Sequence, residues 1–468
     1  MPRKPKRNIE EKIIKKEKIK PIQGLKKMKD ILPKKQWIWQ YVTKKIQKIV
    51  QEFNFKKIDT PILEEEFLFE KALGKNSPII QKQKFSFITR RNEKVILRPD
   101  FTTSIVRAYI EHQMFNLPQP IKLYTIGSLF RDEKDIKAIH ELSLLREFHL
   151  FNFEILGEKD PVVDAQIILM SQIFFQELNL KTNIQINSFG CLEDRQDYKK
   201  ELLTYFKSKK RSLCANCKSK LNKDKNLFEI LNCKEEACQK IIQQAPQLVN
   251  RLCEACKNHF TKVLEHLDEL DIAYSFNPYL IRGLDYYTRT VFEIWSQDNQ
   301  ENEKNKQQIA LAGGGRYDNL VEILGGNATP ACGCNIGLER VILKIKEQNL
   351  IRQPKEENHD IFIAQLGEMA KRKALKLFEN FRKNKIKAIE SLSKNKLREQ
   401  LELAQKYKAI FTLIIGQKEV LDGTVLVRDM ESGIQEAINI QKIIPEMIKR
   451  LERKKQENKK TKKQENMK

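Results

Sequence analysis

The sequence predicts an α+β protein, and three observations carry that reading. Residues 122–133 and 145–157 are two long runs that alternate apolar and polar side chains, as an antiparallel strand pair would. Residues 200–266 form a helix-rich block that interrupts the strands and holds six of the nine cysteines. From His359 onward strand-like and helix-like stretches alternate, the pattern of a small α/β domain. A chain of 468 residues is long enough for two to three such units, each with its own core.

Taken in order, residues 34–53 read as an amphipathic helix with Trp37, Tyr41, Ile46, Val50 and Phe53 inward. Residues 57–63 read as a strand interrupted by Pro61, which suits an edge or an interface. Residues 85–88 and 95–97 make two further strands, and Thr102 or Thr103 is placed to cap the helix carrying Val106 and Tyr109. On the long pair, Arg131 and Glu133 stand two apart and share a face. Phe151 and Phe153 share one face of the second strand, while Leu150, Asn152 and Glu154 share the other. A lone glutamate on a buried sheet face is costly, so Glu154 is a ligand-facing candidate. Residues 161–180 are helical and 184–188 form a short strand.

The chain is organised around residues 282–293, Arg-Gly-Leu-Asp-Tyr-Tyr-Thr-Arg-Thr-Val-Phe-Glu. Two guanidiniums bracket paired tyrosines, and arginine offers a planar fork for phosphate or carboxylate. The three glycines 313–315 are either a sharp turn or backbone that approaches a ligand closely. Residues 332–343 read as a strand running into a helix near Gly337, with Arg340 in the first turn aimed at an anion. Residues 347–358 form a polar linker. Strands are expected at 361–364, 388–389, 409–415 and 425–429, helices near 367–384 and 395–406, and a closing helix near 442–453.

Composition narrows the class. With 40% apolar residues, 24 Phe and 11 Tyr the chain is globular, and no apolar run reaches the roughly 20 residues of a membrane helix. The Lys-rich first twenty residues contain Glu10, Glu11 and Glu17 and no apolar core, so they are neither a secretory signal nor a transit peptide. A cytoplasmic location follows as an expectation, and there nine cysteines mean thiols or metal ligands, not disulfides. The net charge is +25, of which residues 1–20 carry +6 and residues 451–468 carry +5. The body is therefore basic too, which fits a polyanionic partner such as RNA or a solvated lysine surface.

Together these motifs resemble the histidyl-tRNA synthetases over roughly residues 22–452. Residues 282–293 are similar to the family's histidine signature, Phe130-Arg131-x-Glu133 to class II motif 2, and Gly337-Leu338-Glu339-Arg340 to motif 3. Pro61 stands where motif 1, at the dimer interface, carries its proline. The resemblance implies a class II antiparallel sheet flanked by helices in a catalytic domain of residues 22–346, with residues 200–266 as a helical insertion. It implies an anticodon-binding α/β domain at 359–452 after the 347–358 linker, while the charge runs of 1–21 and 453–468 read as basic, disordered extensions. It further implies a homodimer that joins L-histidine to tRNA(His) through histidyl-adenylate, using ATP with Mg2+.

By the same resemblance Arg131 and Arg282 hold the α-phosphate and are catalytic, Glu133 orients the adenine or its arginine neighbour, and Arg340 clamps the γ-phosphate. Asp100 and Thr102 match positions that hold the histidine amino group, Arg131 and Arg282 also face the amino acid, and Glu154, Tyr286 and Tyr287 match those around the imidazole. For the transfer step, a phosphate oxygen of the adenylate is expected to accept the ribose proton, without a role for His149. The chain departs from the family at Phe101, where many bacterial members have glycine, and at Leu150, where a histidine-contacting glutamine is common. The loop between Glu133 and Arg146 is also longer than usual. These departures bear on affinity and tRNA contacts.

Two readings of another kind stay open at this point: a non-catalytic, histidine-sensing regulatory paralogue on the same fold, and a class II synthetase for proline or glycine. The retained Arg289 and the C-terminal domain weigh against the regulator, and the paired tyrosines with Glu154 against the other amino acids. Among the cysteines, the pairs Cys214/Cys217 and Cys253/Cys256 offer a tetrahedral zinc site or reduced thiols, with Cys233 and Cys238 leaving the pairing ambiguous. Cys191, Cys332 and Cys334 read as small buried residues.

Overall fold

The alternating runs and helical stretches assemble, in the computed structural model, around two separate sheets. It describes residues 21–75, 77–132, 145–222, 227–297, 310–354, 359–391 and 393–465. Two units divide between Gln353 and Pro354.

The first unit is built on an eight-stranded sheet. Its strands lie in the order Lys56–Lys57, Ile121–Phe130, Glu147–Leu156, Ala331–Gly337, Ala310–Arg316, Thr288–Ser296, Thr182–Ser188 and Tyr274–Phe276. The six central strands are antiparallel, and only the two edge strands pair in parallel. The long pair forms as its alternation requires, in register from Ile121 opposite Leu156 to Phe130 opposite Glu147. Phe151, Phe153 and Ile155 turn to one face and join the core beneath helices Pro33–Glu52 and Val162–Glu177. Asn152 and Glu154 turn to the other face, which holds the site.

Several local expectations are corrected. Helix Pro33–Glu52 buries Ile38, Val42, Ile46, Ile49 and Val50, so Trp37 and Tyr41 flank the buried stripe instead of centring it. Residues 57–63 are not one strand. Lys56–Lys57 ends on the main sheet, and Leu63–Glu65 begins a separate three-stranded sheet with Lys94–Leu97 and Ser86–Ile88. Pro61, without an N–H and with its restricted neighbour, marks the crossing between them. Asp100, not Thr102 or Thr103, caps helix Phe101–Glu111, its Oδ2 accepting from the Thr103 N–H at 3.0 Å and the Thr103 hydroxyl at 2.8 Å. The glycine triplet is no turn but the middle of strand Ala310–Arg316. The first long strand ends at Phe130, so Arg131 lies past it, and Glu133 falls outside the described residues.

The cysteine-rich block starts earlier than expected, with helix Leu192–Ser208, and closes with helix Glu254–Glu269. Between them lie only short pieces, including helices Ala215–Asn222 and Glu236–Ile242. Among the described residues no helix is long and apolar enough to cross a membrane.

The second unit is a five-stranded sheet ordered Ala388–Glu390, Ile361–Gln365, Phe411–Ile415, Thr424–Asp429 and Gln435–Asn439. The first three strands are parallel and the last two antiparallel. Strand Gln435–Asn439 escaped the sequence reading because it is a mostly polar, exposed edge. The closing helix, Ile443–Glu465, runs into the stretch expected to be a disordered tail. Arg450 pairs with Glu446 at 2.8 Å and Arg453 with Glu457 at 3.2 Å, ion pairs one turn apart that favour the helix.

Candidate active site

A pocket opens over the sheet's second face, lined by Asp100, Arg131, Leu150, Arg282, Gly313, Asn335, Glu339 and Arg340. Three guanidiniums thus meet in one recess. Arg131 follows strand Ile121–Phe130, where its Nε and Nη2 donate to the Pro99 carbonyl at 3.3 and 3.1 Å and its guanidinium lies 5.4 Å from the Phe148 ring centre. Arg282 donates from Nη1 to Glu293 Oε1 at 2.8 Å and lies 5.6 Å from the Tyr287 ring centre. Burial works against its charge, but Tyr287 and Glu293 hold its pKa above the ordinary arginine value. Arg340, in the first turn of helix Leu338–Glu347, donates to the Ala310 carbonyl at 2.7 Å. Burial lowers its pKa, and repulsion from Arg131 and Arg282 lowers it further. Cations arranged to repel one another favour a bound polyanion.

Gly313 makes this arrangement possible. A Cβ there would sit 2.1 Å from Arg282 Nη1, so only glycine lets the guanidinium lie on the strand. Gly333 plays the same part on the neighbouring strand, where a Cβ would fall 1.4 Å from Glu154 Oε2.

Behind the arginines lies a second, smaller polar cluster. Glu154 is fully buried and accepts from the Thr102 hydroxyl at 2.6 Å, the Tyr317 hydroxyl at 2.6 Å and Asn152 Nδ2 at 2.7 Å. Burial raises its carboxyl to about 7, against the pull of these three donors. Tyr286 and Tyr287 are buried with ring centres 4.8 Å apart, and Tyr286 meets Tyr317 edge-on at 5.7 Å. The Tyr286 hydroxyl is buried without a hydrogen-bond partner among the described residues. An unsatisfied buried hydroxyl beside a carboxyl of shifted pKa suits a small polar ligand.

The sequence-predicted residues Asp100, Arg131, Arg282 and Arg340 therefore line one pocket. Thr102, Glu154 and Tyr286 form the cluster behind it, and Tyr287 stacks between the two groups. Tyr317, Asn152, Gly333 and Glu293 were not anticipated. Tyr317 was visible only as the residue after the glycine-rich strand, and Asn152 only as the face-mate of Glu154.

Other residues of the motifs do structural work. Arg289 stays out of the pocket, 3.3 Å from His259 Nδ1 and 3.8 Å from Asp318. Phe101 is a core side chain with its ring centre 4.6 Å from the Arg98 guanidinium, so its bulk does not enter the pocket. Leu150 does line the pocket and presents an apolar wall there. His149 Nδ1 lies 2.7 Å from Glu339, and because a carboxylate only accepts, Nδ1 carries a proton. Its Nε2 then faces the Ser128 hydroxyl at 3.1 Å.

The pairing of cysteines left open by the sequence is resolved by the fold. Cys214 and Cys217 cluster with Cys233 and Cys238, whereas Cys253 and Cys256 cluster with Cys191 and Asp194. The reason is topological: Cys253 stands just before helix Glu254–Glu269, and its N–H donates to Asp194 Oδ1 at 2.9 Å, which brings it to the start of helix Leu192–Ser208 and away from Cys214. Cys191 is accordingly the N-cap of that helix and not a plain core residue, while Cys332 and Cys334 are buried as read.

Comparison with known proteins agrees with this architecture. Residues 27–341 match the family model described as histidyl-tRNA synthetase, and residues 360–450 match that of the anticodon binding domain. A histidine–tRNA ligase of Caldicellulosiruptor saccharolyticus is 40% identical over 421 residues, spanning 90% of this chain and 97% of the relative. One from Acetivibrio thermocellus is 37% identical over 423 residues, spanning 90% and 98%. The crystal structure of apo histidyl-tRNA synthetase from S. aureus superposes with a TM-score of 0.70 at 31% identity, covering 91% of this chain and all of that one. A class II sheet carrying three convergent arginines, followed by an anticodon-binding unit, thus has close relatives along nearly its whole length, and the chain belongs to the histidyl-tRNA synthetase family.

Proposed function

We propose a division of labour within one pocket for the ATP-dependent attachment of L-histidine to tRNA. The reaction forms histidyl-adenylate and pyrophosphate, then passes histidine to the terminal adenosine of the tRNA. The histidine carboxylate attacks the α-phosphorus, a step that depends on positioning and charge stabilisation. Arg131 and Arg282 hold the α-phosphate between them, and Arg340 takes the γ-phosphate. The convergence of these three half-buried guanidiniums on one pocket is the observation that carries this reading, because a bound triphosphate offsets their mutual repulsion. Glu133 orients the adenine by family resemblance. Mg2+ would come with ATP and supply charge neutralisation at its phosphates; Glu339 on the pocket wall is already committed to the backbone and ring N–H groups of His149.

Histidine lies across the second cluster. Asp100 and Thr102 hold its amino group, and Glu154 with Tyr286 and Tyr287 surrounds the imidazole. A pocket of buried polar groups rejects isosteres because they would leave those groups unpaired. For transfer, an adenylate phosphate oxygen accepts the ribose proton. His149 is tied to Glu339 and Ser128, so a transfer rate that titrates with His149 counts against this step.

Residues 22–346 serve catalysis, 347–358 link, and 359–452 bind the anticodon of tRNA(His). Two copies associate around the three-stranded sheet, where Phe87 and Ile88, on opposite faces of strand Ser86–Ile88, are 48% and 65% exposed, and Phe67 of the adjoining helix Glu66–Leu73 is 61% exposed beside half-exposed Ile62 and Leu63. The nine free thiols suit the cytoplasm. Arg282→Lys tests the division of labour: exchange of pyrophosphate into ATP should fall about 100- to 1000-fold, a far larger loss than that in histidine binding by calorimetry. Unchanged exchange would remove Arg282 from the reaction.

A further inference from the structure

Four thiols outside the pocket converge without forming a bond. The Sγ atoms of Cys214, Cys217, Cys233 and Cys238 all lie within 4.8 Å of one another. Cys214 and Cys233 are 3.9 Å apart, far beyond the roughly 2.05 Å of a disulfide. That spacing is close to the edge of a sulfur tetrahedron around zinc, about 3.8 Å for Zn–S bonds of about 2.3 Å. We infer that Cys214, Cys217, Cys233 and Cys238 hold one zinc ion, which fixes the helical insertion of this chain.

Backbone geometry supports the site. The Cys217 N–H points at Cys214 Sγ at 3.4 Å, and the Cys214 N–H points at Cys238 Sγ at 3.2 Å. Such donors orient thiolates and offset their charge around a metal. Two residues separate Cys214 from Cys217 and four separate Cys233 from Cys238, both within the spacing of structural zinc sites. A soft, all-sulfur tetrahedron selects zinc over the hard cations that suit ATP.

The surroundings explain what such an ion would do. Helices Ala215–Asn222 and Glu236–Ile242 are 8 and 7 residues long, too short to persist alone. They pack with Leu221, Leu227, Ile230, Ile241 and Ile242 at one end of an apolar cluster that continues through Tyr198, Leu202 and Phe206. The four sulfurs join the two short helical pieces to each other. This link also reaches the active site. Just beyond Cys238, the carbonyls of Gln243 and Ala245 accept from the Tyr279 hydroxyl at 3.0 and 3.1 Å, and Tyr279 leads directly into Arg282.

The second cysteine cluster is a different object. Both oxygens of Asp194 already accept backbone N–H groups, from Cys191 at 3.1 Å and Cys253 at 2.9 Å, so the carboxylate works as a double cap. It leaves three thiols, one of them exposed.

The test is the metal content of the full-length chain purified without chelator, by mass spectrometry. Wild type should carry zinc, Cys233→Ser should lose one equivalent, and Cys253→Ser should lose none. Zinc-free wild type, iron in place of zinc, or zinc lost with Cys253 and kept with Cys233→Ser would overturn the assignment. Should the Cys233 variant not fold, cobalt replacing zinc in the wild-type chain decides. The intense visible bands of a tetrathiolate support the site, and the weaker spectrum of three sulfurs and one oxygen contradicts it.

Discussion

Glu154 shows how one side chain can be both anchor and cost. Three hydrogen bonds hold a carboxyl that burial would rather keep protonated, at about 7 against an ordinary 4.5. A raised folded-state value means the native protein binds the proton more tightly than the unfolded chain does. Stability therefore falls as pH rises through the window from about 4.5 to 7, by roughly 3 kcal/mol in all, and the penalty is absent below it. Glu154→Gln should flatten that fall in melting temperature against pH while weakening selection of histidine over other amino acids in ATP–pyrophosphate exchange. An unchanged slope would mean that Glu154 is not the group responsible. Gly313→Ala tests the other end of the pocket. Its methyl group displaces Arg282, so exchange should slow about 100-fold with the fold intact by circular dichroism. Glu154 was legible in the sequence because an acid stands on a sheet face where an unpartnered charge is costly. Its partner Tyr317, 163 residues away, was not, since no local pattern encodes a contact across the sheet.

At the scale of elements, the sheet is tied to its helices by a buried ion pair. Arg316 ends strand Ala310–Arg316 and grips Asp164 of helix Val162–Glu177, with Nε 3.2 and 3.0 Å from the two carboxylate oxygens. Burial works to raise Asp164, but Arg316 and then His259 hold it near 2. Arg316→Met leaves that carboxylate buried without its partner and should cost about 3–5 kcal/mol in chemical denaturation. A loss under 1 kcal/mol would show that the pair contributes little. Elements with strong periodicity were readable: the long strand pair, helix Pro33–Glu52 and the parallel strands of the second unit. Strand Ala310–Arg316 was not, because Ala-Leu-Ala-Gly-Gly-Gly-Arg has no strand propensity of its own. It is held by ladders on both sides, and its small residues leave room for Arg282. The break at Pro61 was seen but its meaning was not, since a change of sheet depends on tertiary packing.

The whole molecule combines a basic surface, exposed apolar side chains around the three-stranded sheet and two units joined near Gln353. Overall charge announced a polyanionic partner, and the ordered motifs announced the chemistry, but neither revealed which cysteines meet. If the three-stranded sheet is the contact between copies, Phe67→Glu combined with Ile88→Lys should halve the mass in sedimentation at micromolar concentration. A mass that does not change places the contact elsewhere. The reaction itself is tested most directly by ATP–pyrophosphate exchange on the purified wild-type chain, supplied with each standard amino acid in turn. Exchange with histidine alone is the expected result. Exchange driven by another amino acid, or histidine binding without exchange, would contradict the reading of the three arginines and the Glu154 cluster as one histidine-activating site.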